Sequence, residues 1–101
     1  MTTAALSTPL AIGPVELSSR IVVAPMYQYS DENSRTTDWH RMHMLQHEIS
    51  SVRLFMLEAT GVTADDRVTP FCLALDRDDQ EVALRDLVVT CRCYGAAKLG
   101  I

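Results

Sequence analysis

The stretch Arg20-Ile21-Val22-Val23-Ala24-Pro25-Met26-Tyr27-Gln28-Tyr29-Ser30 decides the fold. Its β-branched run ends at Pro25, which cannot donate to a ladder, and this is the pattern of a short parallel strand buried on both faces. From Tyr27 to Thr37 the composition turns polar, giving a loop of about ten residues, longer than most connections and a place to look for function. Upstream, residues 10–17 set Gly13-Pro14 between two short apolar pieces, which predicts a small hairpin preceding the strand like a lid.

Downstream, Asp38 offers an N-cap, and Trp39, Met42, His43, Leu45, Gln46 and Ile49 recur at helical spacing, predicting a helix over 38–50. Residues 54–59 (LFMLEA) predict a second short strand with Glu58 at its C-terminal end, followed by a polar loop over 60–69. Asp78 with Glu81 forms a capping-box pattern, and Val82, Leu84, Leu87, Val88 and Cys91 continue as a helix that Gly95 can close. Lys98-Leu99-Gly100-Ile101 then begins a third strand.

The predicted order is strand, helix, strand, helix, strand, with right-handed crossovers. A closed (β/α)8 barrel needs roughly 250 residues, so 101 residues supply its first quarter and leave two raw sheet edges. An open doubly wound sheet is the other α/β solution, but Pro25-Met26-Tyr27-Gln28 lacks the glycines of a dinucleotide fingerprint. The expected fold class is therefore α/β: the N-terminal β-α-β-α-β portion of a TIM barrel behind a short hairpin, with residues 1–101 one incomplete domain.

Composition narrows the function. Nine Lys+Arg against thirteen Asp+Glu give a formal charge of −4 and no basic stripe, which argues against nucleic acid or an anionic membrane as partner. No apolar run approaches the ~20 residues that span a bilayer. Residues 1–8 carry neither a basic n-region nor an apolar core, so no secretory signal is expected and the cytosol is the expected compartment. Cys72, Cys91 and Cys93 are an odd number without a C-x-x-C pair, and are read as reduced side chains.

The segment from Arg20 to Ser30 resembles the first strand and loop of the Old Yellow Enzyme family of FMN-dependent ene-reductases, closest to its bacterial subgroup that includes xenobiotic reductases. Thr37-Asp38-Trp39-His40 with His43, Leu57-Glu58-Ala59-Thr60-Gly61-Val62, and residues 95–101 follow in the family's order, so the likeness spans almost the whole chain. The resemblance implies a barrel holding FMN at the C-terminal ends of its strands, passing hydride from NAD(P)H to a small activated alkene. It implies that Ala24, Pro25, Met26 and Tyr27 line the flavin through main-chain contacts, that Ala59 touches it, and that Tyr29 faces the substrate. Tyr27 stands where the subgroup usually has cysteine and relatives threonine. Ser50-Ser51-Val52-Arg53 stands where members usually have glycines, and residues 71–76 replace a loop normally bearing glycine and tryptophan. The chain stops before the family's third-strand glutamine, substrate-holding histidine pair, flavin-binding arginine and phosphate site. Two function classes follow: a truncated FMN oxidoreductase, or a divergent non-catalytic remnant acting, if at all, as a structural or interaction fragment.

Other residues invite sharper readings than they carry. His40, His43 and His47 share one helical face beside Glu48, and a helical H-x-x-x-H pair can bind a metal, yet a third ligand for such a pair and its supporting shell are not evident; packing is the favoured reading, with no metal expected. Cys91 and Cys93, two apart on a helix, do not face each other and make no redox pair. Glu58 could be a base, but the favoured role is to cap backbone amides or pair with Arg20 or Arg53. The run Asp76-Arg77-Asp78-Asp79 reads as a solvated helix start favoured by the macrodipole.

Overall fold

The computed structural model describes residues 5–101; the opening residues read for a secretory signal include 1–4, which lie outside the described residues. After a 3-10 turn at Ala5–Ser7, strands β1 (Leu10–Ile12) and β2 (Val15–Leu17) form the antiparallel hairpin expected from the sequence. Gly13 turns it at φ +56°, a backbone region that side chains rarely adopt. The chain then runs through β3 (Val22–Val23), helix α1 (Asp38–Glu48), β4 (Leu54–Met56), the short β5 (Thr60–Gly61), a 3-10 turn at Ala64–Asp66, β6 (Leu73–Ala74), helix α2 (Asp78–Tyr94) and β7 (Lys98–Gly100).

Strands β3, β4 and β7 make one parallel sheet with β4 in the middle. Val23, Phe55 and Leu99 stand in register, and strand partners in register share a face. That face meets the helices: Phe55 and Leu57 join Met44 of α1, Leu87 and Cys91 of α2, and Leu73 in the buried core, with Val23 and Leu99 packed against it. The opposite face carries Val22, Leu54, Met56, Lys98 and Gly100, none of them buried. Val22 is 43% exposed, so β3 is not buried on both faces as its composition predicts; among the described residues no layer covers the second face. Among the described residues β3 and β7 each pair on one side only. No helix among them is long and apolar enough to cross a membrane.

The hairpin is fastened at the N-terminal end of this sheet. Leu17 is buried, Arg53 donates through Nε to Ser18 Oγ at 2.8 Å, and Ser19 Oγ donates to the Ser51 carbonyl. Arg41 bridges the two helices, donating to Asp86 and to Thr90 Oγ1.

Both helix starts differ from the sequence reading by one residue. Thr37, not Asp38, is the N-cap of α1, because His40 turns its Nδ1 back to accept the Thr37 amide at 3.0 Å. Arg77 precedes α2, and Gln80 rather than Glu81 closes the box, its Oε1 accepting the amides of Asp76 and Arg77 at 2.8 and 3.0 Å. Helix α1 ends at Glu48, short of the predicted 50, and its buried residues are His40, Met44 and Glu48, while Trp39, Met42 and Ile49 are exposed. Two of those three buried residues are polar and find partners in other elements, which an apolar periodicity cannot register. Strands β5 and β6 pair in parallel inside segments read as loop, and β6 is fastened further by the Ala74 amide donating to the Ser34 carbonyl.

Gly95 caps α2 as expected, in an extended rather than left-handed conformation. A glycine is required there by space, since a Cβ would collide with the side chain and carbonyl of Glu48. Glu48 is buried and accepts the Ala97 amide at 3.2 Å, tying the end of α1 to the start of β7.

Phe55→Ala should cost about 3–5 kcal/mol, the usual penalty for emptying a buried phenylalanine site, whereas Phe71→Ala, at an exposed position, should stay within about 0.5 kcal/mol. Urea unfolding followed by circular dichroism measures both. A second expectation concerns pH. Burial pushes the Glu48 carboxyl above its ordinary value, and the Ala97 amide opposes this only in part. The folded state then holds that proton more tightly than the unfolded chain, so stability falls as pH rises through the window between the ordinary and raised values. Glu48→Gln, which keeps an acceptor for Ala97, should raise the unfolding midpoint at neutral pH and lose that advantage in acid; a constant difference across the pH series contradicts it.

Candidate functional site

The C-terminal ends of β3 and β4 open side by side because the strands are parallel and in register. Ala24, Pro25 and Met26 leave β3 exposed to solvent, and beyond β4 Ala59 is exposed in the same way, immediately after buried Leu57 and Glu58. The two strand ends are joined by one hydrogen bond, from the Gln28 amide to Glu58 Oε2 at 3.1 Å. Glu58 therefore caps a backbone amide, as the sequence suggests, but pairs with neither Arg20 nor Arg53. Those arginines bond Thr8 and Pro9, and Ser18, Ser50 and Val52, at the far end of the sheet. Beside Glu58 stands the His40 ring, whose Nε2 lies 3.4 Å from Glu58 Oε2.

The loop between β3 and α1 is held from several directions. Tyr27 and Tyr29 stack with ring centroids 5.5 Å apart. Tyr29 is 59% exposed and sits at φ +51°, an uncommon conformation for a bulky side chain that concentrates at functional sites. Tyr27 is held above the ordinary phenol range by desolvation first, then by the neighbouring Cys72 thiol, Tyr29 and Glu58. Gln28 accepts Trp39 Nε1–H at 2.9 Å, and Ser34, also at positive φ, accepts Arg67 at 2.7 Å. The structure thus brings Tyr27 and Tyr29 together and places Ala24, Pro25, Met26 and Ala59 on the two adjoining strand ends. Cys72, beside Tyr27, was not singled out for this site by sequence; only the β5–β6 pairing carries it there.

The histidines separate into two roles. His40 is buried against Glu58, while His43 and His47 lie on the Phe55 ring at 5.6 and 5.2 Å. His43 is held below the ordinary imidazole range by burial, with His47 and His40 adding to the shift. Among the described residues no group of three or more His, Cys, Asp or Glu is disposed to hold a metal ion.

A parallel α/β unit that presents small residues and irregular backbone at the C-terminal ends of its strands has the layout of a barrel-enzyme site. Solved structures agree on the fold. Morphinone reductase in complex with tetrahydroNAD superposes with a TM-score of 0.84 at 22% identity, over 96% of this chain and 26% of that one, and a second morphinone reductase structure gives 0.82. No protein-family profile matches the chain. Among curated proteins it is 34% identical over 98 residues to an NADPH dehydrogenase of Geobacillus sp. (strain WCH70), covering 95% of this chain and 28% of the relative. It is 40% identical over 89 residues to the NADPH dehydrogenase of Listeria welshimeri, covering 86% and 26%. The chain spans about a quarter of the length of these relatives. Its sequence is similar to an N-terminal segment of proteins of the Old Yellow Enzyme type, and the relatives it matches are NADPH dehydrogenases.

Thiol accessibility checks the packing around this site. Cys93 is exposed, Cys72 is buried, and burial pushes the Cys91 thiol up to about 11. At mildly alkaline pH a chromogenic disulfide should modify Cys93 rapidly and the other two at least about a hundredfold more slowly, until denaturant exposes all three. Fast modification of Cys72 contradicts its burial beside Tyr27.

Proposed function

We propose that residues 1–101 form the N-terminal part of an FMN-binding TIM-barrel oxidoreductase domain, of the type that uses NAD(P)H to reduce a small activated alkene. The observation that carries this reading is the juxtaposition of exposed Ala24, Pro25 and Met26 with exposed Ala59 at the C-terminal ends of two parallel strands, in a chain similar over most of its length to NADPH dehydrogenases. The β-α-β-α-β order supplies the first strands of the barrel, and the half-paired edges of β3 and β7 take the neighbouring strands.

The residues present fit one edge of a flat cofactor. Ala24 and Ala59 leave room for a ring, and Pro25 and Met26 bring backbone to its rim. The Tyr27 side chain is engaged with Tyr29 and Cys72, so its main chain is the part offered to the ring. Tyr29, exposed beside it, faces the substrate. When bound, FMN supplies hydride transfer between nicotinamide and alkene; the protein's part is to position and to exclude water. The ribityl phosphate finds no partner in Arg20 or Arg53, which are engaged at the opposite end of the sheet, so its anion site belongs to the remaining barrel.

The test joins this chain to the portion of the Geobacillus relative that it does not span, adds FMN, desalts, and measures retained flavin absorbance and NADPH oxidation with cyclohexenone. The chain alone should emerge colourless and inactive; the hybrid should retain flavin and turn over. Ala59→Trp in the hybrid should weaken flavin binding about tenfold or more by filling the ring's space. A folded hybrid that stays colourless supports instead the divergent, non-catalytic remnant, with Tyr27 obstructing the site.

A further inference from the structure

Two buried polar side chains have no part in the main-chain contacts assigned to the flavin. His40 and Glu58 are each only 1% exposed at the side chain, and His40 Nε2 and Glu58 Oε1 lack a hydrogen-bond partner. Such a pair stabilises a core poorly compared with apolar residues of the same size. What it provides is a grip on backbone that has no ladder to hold it.

We propose that His40 and Glu58 are a positioning pair that fixes the loop between β3 and α1 at both of its ends. The proposal rests on the flavin reading only for what the loop serves. Glu58 Oε2 accepts the Gln28 amide at 3.1 Å at the loop's start. His40 stands behind that carboxylate at 3.4 Å and reaches the loop's end, its Nδ1 accepting the Thr37 amide at 3.0 Å. Thr37 in turn donates its hydroxyl to the Ser30 carbonyl at 2.9 Å. The circuit from Gln28 through Glu58, His40 and Thr37 back to Ser30 encloses Tyr29, the residue at positive φ that the substrate would meet. Because Nδ1 accepts a backbone N–H, a neutral His40 ring carries its proton on Nε2, the atom that lies 3.4 Å from Glu58 Oε2. A helix residue thus packs against a strand-end carboxylate, and each of the two accepts one amide of the loop. His40 and Glu58 act through Gln28 and touch neither cofactor nor substrate.

The experiment is amide hydrogen exchange on the 15N-labelled chain, without FMN. Glu58→Ala should speed exchange of the Gln28 amide by about tenfold or more, while Leu57, whose amide donates to the Gly100 carbonyl, keeps its protection. Glu58→Gln, which retains an acceptor oxygen, should restore most of the Gln28 protection. Unchanged Gln28 exchange in Glu58→Ala, or an equal loss at Leu57, overturns the proposal. Should the alanine variant not fold, long-range 1H–15N correlation on the unaltered protein decides: His40 protonated on Nε2 is the expected tautomer, and a proton on Nδ1 overturns it. None of these readouts involves flavin, so a colourless hybrid leaves the pair testable, and an unprotected Gln28 leaves the flavin reading standing.

Discussion

Phe55 is the middle residue of the middle strand, and the parallel pairing of Val23, Phe55 and Leu99 around it is the constraint from which the remaining structure follows. Parallel neighbours require a crossover, so a helix must lie between each pair, and the ring of Phe55 is what both helices' buried side chains gather around. The same register makes the strand ends coincide. Ala24 and Ala59 come to the same end of the sheet because Val23 sits opposite Phe55. A slip of one residue would turn Phe55 outward and Leu54 inward, and would separate the loop from Glu58 as well.

The cost of this arrangement is concentrated where the site is. The helix-facing side of the sheet is well covered, yet its opposite face and both outer strands are open. On that face Val22 is exposed and Leu54 and Met56 are half-buried, whereas Phe55 and Leu57 on the helix side are buried. At the C-terminal ends, buried polar groups take over from apolar packing: Glu58 and His40 replace hydrophobic contacts, and Tyr29 takes a backbone conformation that needs support from its neighbours.

Much of the architecture was legible in the sequence because it depends on local chemistry. The β-branched run before Pro25, the Gly13-Pro14 turn and the apolar periodicity leading to Gly95 each signal their element within a few residues. What escaped depends on partners distant along the chain. Thr37 caps α1 only because His40 turns back to it, and His40 is buried only because Glu58 lies across from it. Strands β5 and β6, two residues each, have no pattern of their own and exist through their mutual pairing and the Ser34 carbonyl. The site residues came from resemblance to a family. The physical layout gathers them at one end of the sheet, and the flavin proposed there enters through the resemblance, since residue types alone do not point to one.

Cross-strand nuclear Overhauser effects measure the parallel register through Phe55 directly. In a 13C,15N-labelled sample, contacts are expected between Val23 and Phe55 and between Phe55 and Leu99, with the spacing of parallel strands and with protected amides at Lys98 and Leu57, which donate to the carbonyls of Arg53 and Gly100. Contacts that pair β3 with β4 in antiparallel order, or that leave Phe55 without either neighbour, would contradict it and remove the common strand end on which the proposed flavin site is built.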